Sequence, residues 1–549
     1  MLQRIIKRMA TSESLKKLRE VITENLRVQR SGAPSIPYID VIHALDDSQA
    51  RQNHVVFGRR GCGKTLLLQN ATKLSAADRK TIYLNCEDFK NHSFPNVLIE
   101  ILDAVFSEME KRLTGWFGKK KKSRELIGNI RKQLATMLQK DDERTEKVVE
   151  TNSTGDSGAL KASYKRETTD QVAANVGNKA IGADASALSK LGSNFSISGE
   201  YSKTRAQAIE RAYERADSKI RELNMLLPKL KASLRDFFEI SSNTKFIFLQ
   251  IDDFYHLQRE NQPFIMDYIH RLCKDLPLYF KVATLRHASV LYAERGGQPV
   301  GAQERHDYQP INIDFTFQEF VKTEKQVLDI FHEFSKLSGV SALEFDDLFK
   351  GDGFRRLVLA GGGVPRDCLS LFLEALGPVM AAGSRIGKDD IRQLSFSNFE
   401  RKIEDLKRDS QSDEQDVLLK GIYVIRQFCL DSKTSVFFVP DRVLQELEPA
   451  RELIFRLLDY RIIHSVGSAF THKSHPGSYQ GFMIDIGCYA HMRKLEGKMN
   501  EIDLSDPQAK EQMRSVPILS QELLEKLWST APAKVTQHDL IVADTDGGE

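Results

Sequence analysis

Residues 58–65 read GRRGCGKT, with glycine at 58, 61 and 63. The segment satisfies the pattern G-x-x-x-x-G-K-[ST]; an apolar strand candidate, HVVF (His54–Phe57), precedes it, and KTLLLQNATKL continues it as a helix. The strand must end where glycines let backbone N–H groups turn inward, and the helix must start directly behind them. A loop of this kind cradles phosphates. Gly58, Gly61 and Gly63 keep Cβ atoms out of the cradle. Lys64 is suited to reach β- and γ-phosphates, Thr65 to offer its hydroxyl to Mg²⁺, and the helix N-terminus adds its dipole. Arg59, Arg60 and Cys62 complete the cofactor-binding segment, Cys62 as a small loop residue rather than a nucleophile. The implied ligands are ATP and Mg²⁺.

Further strand candidates alternate with helices. They are TIYLN (Thr81–Asn85), KFIFLQI (Lys245–Ile251), LYFKVAT (Leu278–Thr284) and INIDFTF (Ile311–Phe317). The alternation predicts an α/β fold, a parallel sheet covered on both faces. Between the second and third strands, residues 119–243 leave that pattern. They open with KKKKSR, pass through a helix candidate (Glu125–Gln139), become polar over 141–203, and resume as a helix from Thr204 to Phe238. The polar stretch has too few large apolar residues to bury much surface. The plain reading is a weakly ordered insertion; the sharper one is an element that touches a partner.

KFIFLQI runs into Asp252 and Asp253. A buried strand ending in two acids in the same sheet as the phosphate loop sets Asp252 where Mg²⁺ must be held. Asp253 is the candidate to orient or deprotonate the attacking water.

The order of phosphate-loop strand, acidic strand, LYFKVATLRHAS, INIDFTFQEF, a helical segment with GGGVPRD and a last compact unit resembles the AAA+ ATPases of the origin-recognition initiator type. The likeness spans about Pro34–Gly118 and Thr244–Ala490. It implies a P-loop NTPase core at 34–320 behind an N-terminal helical arm (1–33). A helical lid (321–410), a winged helix (411–495) and a tail (496–549) follow. By the same resemblance Thr284 is the polar sensor of the γ-phosphate, with Arg286 as a nearby substitute. Arg305 is the arginine finger supplied to a neighbouring subunit of a homo- or hetero-oligomer, with Arg295 second to it. Arg366 is the lid arginine that swings onto the γ-phosphate. Each role answers one need, a fixed cation or dipole for charge that builds on the phosphoryl oxygens. Three features depart from that family: Asp-Asp stands where Asp-Glu is usual, that pair and Gly363–Pro365 look like the STAND group of signalling NTPases, and the 119–243 insertion belongs to neither pattern. The alternative is therefore a STAND-like switch whose output is protein interaction.

The chain carries 79 basic and 76 acidic residues, net +3, among 549. No global attraction for nucleic acid follows, so any contact with double-stranded DNA must be local. Candidates are Arg451 and Arg456 on the third, recognition helix of the winged helix, set against Glu452 and Asp459, with His472, Lys473 and His475 in its wing. Lys119–Lys122 form a second basic run. The six cysteines are scattered without metal-site spacing, the apolar runs are too short to span a membrane, and no cleavable leader is evident, all pointing to a cytoplasmic protein.

Overall fold

The computed structural model describes residues 12–27, 36–40, 43–74, 78–89, 92, 94–113, 118–153, 198–241, 244–295, 297–410, 412–490 and 499–541. Two helices, α1 (Ser12–Asn25) and α2 (Ala44–Ser48), precede the sheet. Strand β1 (His54–Phe57) then leads through the glycine loop into α3 (Lys64–Lys73). Next come β2 (Arg79–Asn85), α4 (Asn96–Arg112), α5 (Gly118–Ser153) and α6 (Ser198–Ile240). The core continues with β3 (Phe246–Asp252), α7 (Gln262–Cys273), β4 (Leu278–Thr284), a hairpin of β5 (Tyr292–Arg295) and β6 (Gln298–Gly301), and β7 (Gln309–Asn312).

The sheet order is β2-β3-β4-β1-β7 and every pairing is parallel. All seven residues of β3 are buried, as expected of a strand covered on both faces. In register, Phe57 lies beside Thr284 and Asn85 beside Asp252. One carboxyl edge thus gathers the glycine loop, Asp252 and Thr284, the edge where ligands bind in open α/β sheets. The fifth strand is shorter and earlier than INIDFTF suggests; Asp314 lies just past its end.

Both ends of the 119–243 insertion are built into the core. Ile127, Ile130, Leu134 and Met137 of α5 and Leu223, Leu230, Leu234 and Phe237 of α6 are buried in one cluster with the sheet. Three- and four-residue spacing gives each helix an apolar stripe, so a weakly ordered excursion describes neither end. The middle of the polar stretch lies outside the described residues.

Five helices follow: α8 (Phe320–Leu337), α9 (Ala342–Asp346), α10 (Gly353–Ala360), α11 (Pro365–Ala382) and α12 (Lys388–Asp409). Helix α1 packs on them through Leu15, Leu18 and Ile22. The last unit runs α13 (Ser412–Asp431), β8 (Val436–Pro440), α14 (Asp441–Glu446), α15 (Glu448–Asp459), β9 (Ile463–Phe470) and β10 (Tyr479–Ile484). Its antiparallel sheet has the order β8-β10-β9. Strand β8 was not expected. Three short helices close the described chain: α16 (Ala509–Met513), α17 (Gln521–Thr530) and α18 (Gln537–Ile541). No described helix is long and apolar enough to cross a membrane.

Candidate nucleotide site

Gly61 and Gly63 have φ of 91° and 96°, where a side chain is strained. Lys64 opens α3, and its Nζ donates to the Gly58 carbonyl at 2.7 Å and the Arg59 carbonyl at 3.2 Å. Beside it, Thr65 Oγ1 donates to Asp252 Oδ2 at 2.7 Å. Tyr83 Oη donates to the same oxygen at 2.7 Å, and the Asp253 N–H donates to Oδ1 at 2.9 Å. Burial, then the Asp253 charge, raises the proton affinity of Asp252, and these donors counter it. A hydroxyl and a carboxylate, both hard oxygens beside a phosphate loop, suit Mg²⁺. Sequence reading missed Tyr83, although it shares a strand face with Asn85, two residues on.

Arg59 and Arg60 are turned to other work. Arg59 Nε and Nη2 donate to Asp314 at 2.7 and 2.9 Å, Nη2 also to the Phe315 carbonyl at 3.1 Å. Arg60 pairs with Asp409 at the end of α12. Only their backbone is left for a cradle. The buried Cys62 thiol donates to Asp314 Oδ1 at 3.3 Å; burial, then Asp314, pushes its proton affinity up, which keeps it protonated.

Thr284 is fully buried, its hydroxyl in a hydrogen bond with Ser289. Arg286 pairs with Glu304 at 2.9 Å and lies over Phe57. Asp253 stands past the end of β3 in the left-handed region, φ 52°. Ligand atoms of Asp253, Glu87 and His256 all lie within 4.8 Å of one another. Arg305 is exposed, in the turn entering β7, whose first residue pairs with the first of β1. The glycine loop leaves β1 from its other end, so Arg305 is not brought to the loop of its own chain. Arg295 ends β5. Arg366 is brought there: its N–H donates to the Gly61 carbonyl at 3.4 Å, and its side chain lies across Gly61. Among the described residues its guanidinium has no hydrogen bond or ion pair. It borders a cavity of about 470 Å³ whose walls include Tyr38, Gly61, Gln326, Phe334 and Leu369.

The C-terminal unit reaches the same loop. Arg59 Nη1 donates to His464 Nδ1 at 3.1 Å, which leaves the proton on Nε2 to donate to Asp485 Oδ2 at 3.0 Å. Lys402 of α12 donates to that oxygen too. Burial chiefly, with Lys402 and Arg59, depresses His464 to about 4 against the pull of Asp485. Folded His464 is therefore neutral where the unfolded chain, at about 6.5, takes a proton. Its stabilisation is complete above pH 6.5 and is lost as pH falls toward 4, about 2 kcal/mol by pH 5. Melting temperature is expected to drop over that range, and His464→Gln to flatten the drop. An unchanged slope in that variant would refute the assignment.

Helix α15 packs against the core. Arg456 is buried on Glu414 (2.6 Å), Glu452 pairs with Arg259 (2.7 Å), and Asp459 accepts the N–H groups of His287 and Ala288 at 3.0 and 2.6 Å. Phe455 stacks on His287. Of the two arginines read toward DNA, only Arg451 is even half-exposed.

A wholly parallel five-stranded sheet, a glycine loop between β1 and α3, and an acid at the end of β3 facing the loop's threonine define an α/β P-loop NTPase fold. No family model and no curated protein matches the sequence. Among solved structures the chain is similar to Drosophila ORC bound to DNA, at 13% identity over 90% of this chain and 95% of that one, TM-score 0.31. It is also similar to a Walker-type ATPase of Pyrococcus abyssi, at 10% identity over 81% and 93%, TM-score 0.33. Scores this low leave the fold to rest on the sheet order and the loop themselves.

Proposed function

We propose that the chain binds ATP with Mg²⁺, hydrolyses it, and acts as a nucleotide-controlled switch of the AAA+ kind. The observation that carries this is the convergence of Lys64, the Thr65–Asp252 pair and Arg366 on one glycine loop beside a cavity large enough for a nucleoside. Lys64 would leave the loop carbonyls for the phosphates, and Asp252 and Thr65 would hold Mg²⁺, which neutralises charge on the phosphate oxygens when bound. Arg366 would meet the γ-phosphate from the lid, and Thr284 would orient the attacking water through its hydroxyl. Exposed Arg305 suits a finger supplied to a second subunit, so assembly would complete the site. The test is Lys64→Ala, in ATP binding by equilibrium titration. Loss of a charged donor should weaken ATP about tenfold to a hundredfold. Failure of the unaltered chain to bind ATP would sink the proposal.

The C-terminal unit, with helix, strand, two helices and a hairpin in that order, reads as a winged helix. Its α15 lies on the core, and Lys473 of the wing is paired with Glu511 at 3.3 Å. This favours the second reading, a STAND-like switch in which nucleotide governs contacts between units or with a partner protein. Double-stranded DNA would require α15 to leave the core. Salt-dependent DNA binding in ATP, lost in Lys64→Ala, would favour the DNA reading; no binding in any nucleotide would favour protein output.

A further inference from the structure

Arg366, whose guanidinium has no carboxylate partner among the described residues, lies beside another arginine, Arg461. Two acids, Asp367 beside Arg366 on α11 and Asp405 on α12, lie near enough for their charge to act on Arg366. Both are held by Arg461, which follows α15 in the C-terminal unit. Arg461 Nη1 donates to Asp367 at 2.8 and 2.9 Å, and Nη2 to Asp405 at 2.8 Å. Nη1 also lies 3.4 Å from the Arg60 carbonyl of the glycine loop. The side chain is fully buried, and its backbone takes a left-handed φ of 65°. A buried, non-glycine residue in that conformation is held there by its surroundings, here by two acids and the loop.

We infer that Arg461 is a positioning residue for the nucleotide site: it occupies Asp367 and Asp405 so that Arg366 stays unpaired and turned to the phosphates. Asp405 also pairs with Arg408, but without Arg461 the buried Asp367 would lie uncompensated near a cation, and a buried charge takes whatever partner it can reach. Arg366 would close on the acid, and its charge would be spent before ATP arrives. Because Arg461 belongs to the C-terminal unit, lifting that unit off the loop would have the same effect. The inference rests on the reading that Arg366 meets the γ-phosphate.

The test uses the full chain and compares affinities for ATP and ADP. Arg461→Met should weaken ATP about tenfold, the scale of one charge-assisted contact, and ADP far less. Arg461→Met/Asp367→Asn/Asp405→Asn should restore the preference for ATP, because amides cannot capture Arg366; adding Arg366→Ala should abolish it again. A merely structural role would lower both affinities alike, and the restored variant would gain no ATP preference. Either result overturns the inference. Should Arg461→Met not fold, Arg461→Met/Asp405→Asn, which keeps Asp367, replaces it against the triple variant. If Arg366→Ala alone leaves ATP binding unchanged, the reading of Arg366 itself fails. If that variant loses ATP but Arg461→Met does not, only the positioning role fails.

Discussion

Replacing Asp485 by alanine is expected to destabilise the C-terminal unit by about 3–5 kcal/mol, the cost of stripping one partner from a buried ion pair. Asp485 is fully buried and accepts hydrogen bonds from Lys402 at 2.5 Å, His464 at 3.0 Å and the Gly487 N–H at 2.9 Å. Burial works to raise its proton affinity, and Lys402 and His464 more than reverse this. Alanine would leave the Lys402 ammonium, itself 1% exposed, without a counter-charge. It would also free His464, and with it the contact to Arg59 in the glycine loop. Two consequences should appear together: a lower urea midpoint and weaker ATP binding. The first can be followed by the emission of Trp528, buried in the same core, in a Trp116→Phe background. Lys402→Met/Asp485→Leu, which removes both charges, should recover much of the loss, since apolar replacement of a buried pair is often near neutral. A midpoint shift worth under about 1 kcal/mol in Asp485→Ala would mean that Lys402 finds water, and that the chain from α12 to Arg59 transmits nothing.

What could be read before the structure was whatever depends on near neighbours in sequence. The glycine loop, the apolar runs of β1, β3 and β4, and the acids closing β3 announce themselves because strand, turn and helix signals are local. Arg366 could be set against the loop only by resemblance. Its neighbour Asp367 and the role of Arg461 could not be read at all, because the groups they join are scattered along the chain. Arg59 and His464, 405 positions apart, meet through folding of the whole molecule. Shorter failures have physical causes too. VFFVP of β8 is five residues bounded by a proline, too short for its period to show. The β5–β6 hairpin is exposed or half-exposed along its length and carries no buried stripe. In the insertion, polar composition over 141–203 hid the apolar stripes at its two ends. Helix α15 misled differently. Counting Arg451 and Arg456 as a supply of positive charge ignored where Glu414 would lie, and burial turned Arg456 into a structural residue.

Asp253→Asn is expected to slow ATP turnover by about a hundredfold to ten-thousandfold while leaving ATP affinity near that of the unaltered chain, the signature of losing a general base rather than a binding group. The two acids at the end of β3 stand in different surroundings. Asp252 is fully buried and receives hydrogen bonds from Thr65 and Tyr83, so its oxygens are committed beside the loop. Asp253, half-buried and in a left-handed conformation, departs from the strand's alternation. Strain of that kind costs about 1–3 kcal/mol and persists where the surroundings enforce it. Aspartate is one methylene shorter than glutamate, so its reach toward an in-line water is less. Asp253→Glu is therefore an informative companion: faster turnover would mean that reach limits the natural residue. A slower rate would mean that Glu87 and His256, close around Asp253, leave no room for the longer side chain. If Asp253→Asn changes neither rate nor affinity, the paired carboxylates do not divide the work in this way. The protein would then be a nucleotide-binding switch that senses ATP without using Asp253 to spend it.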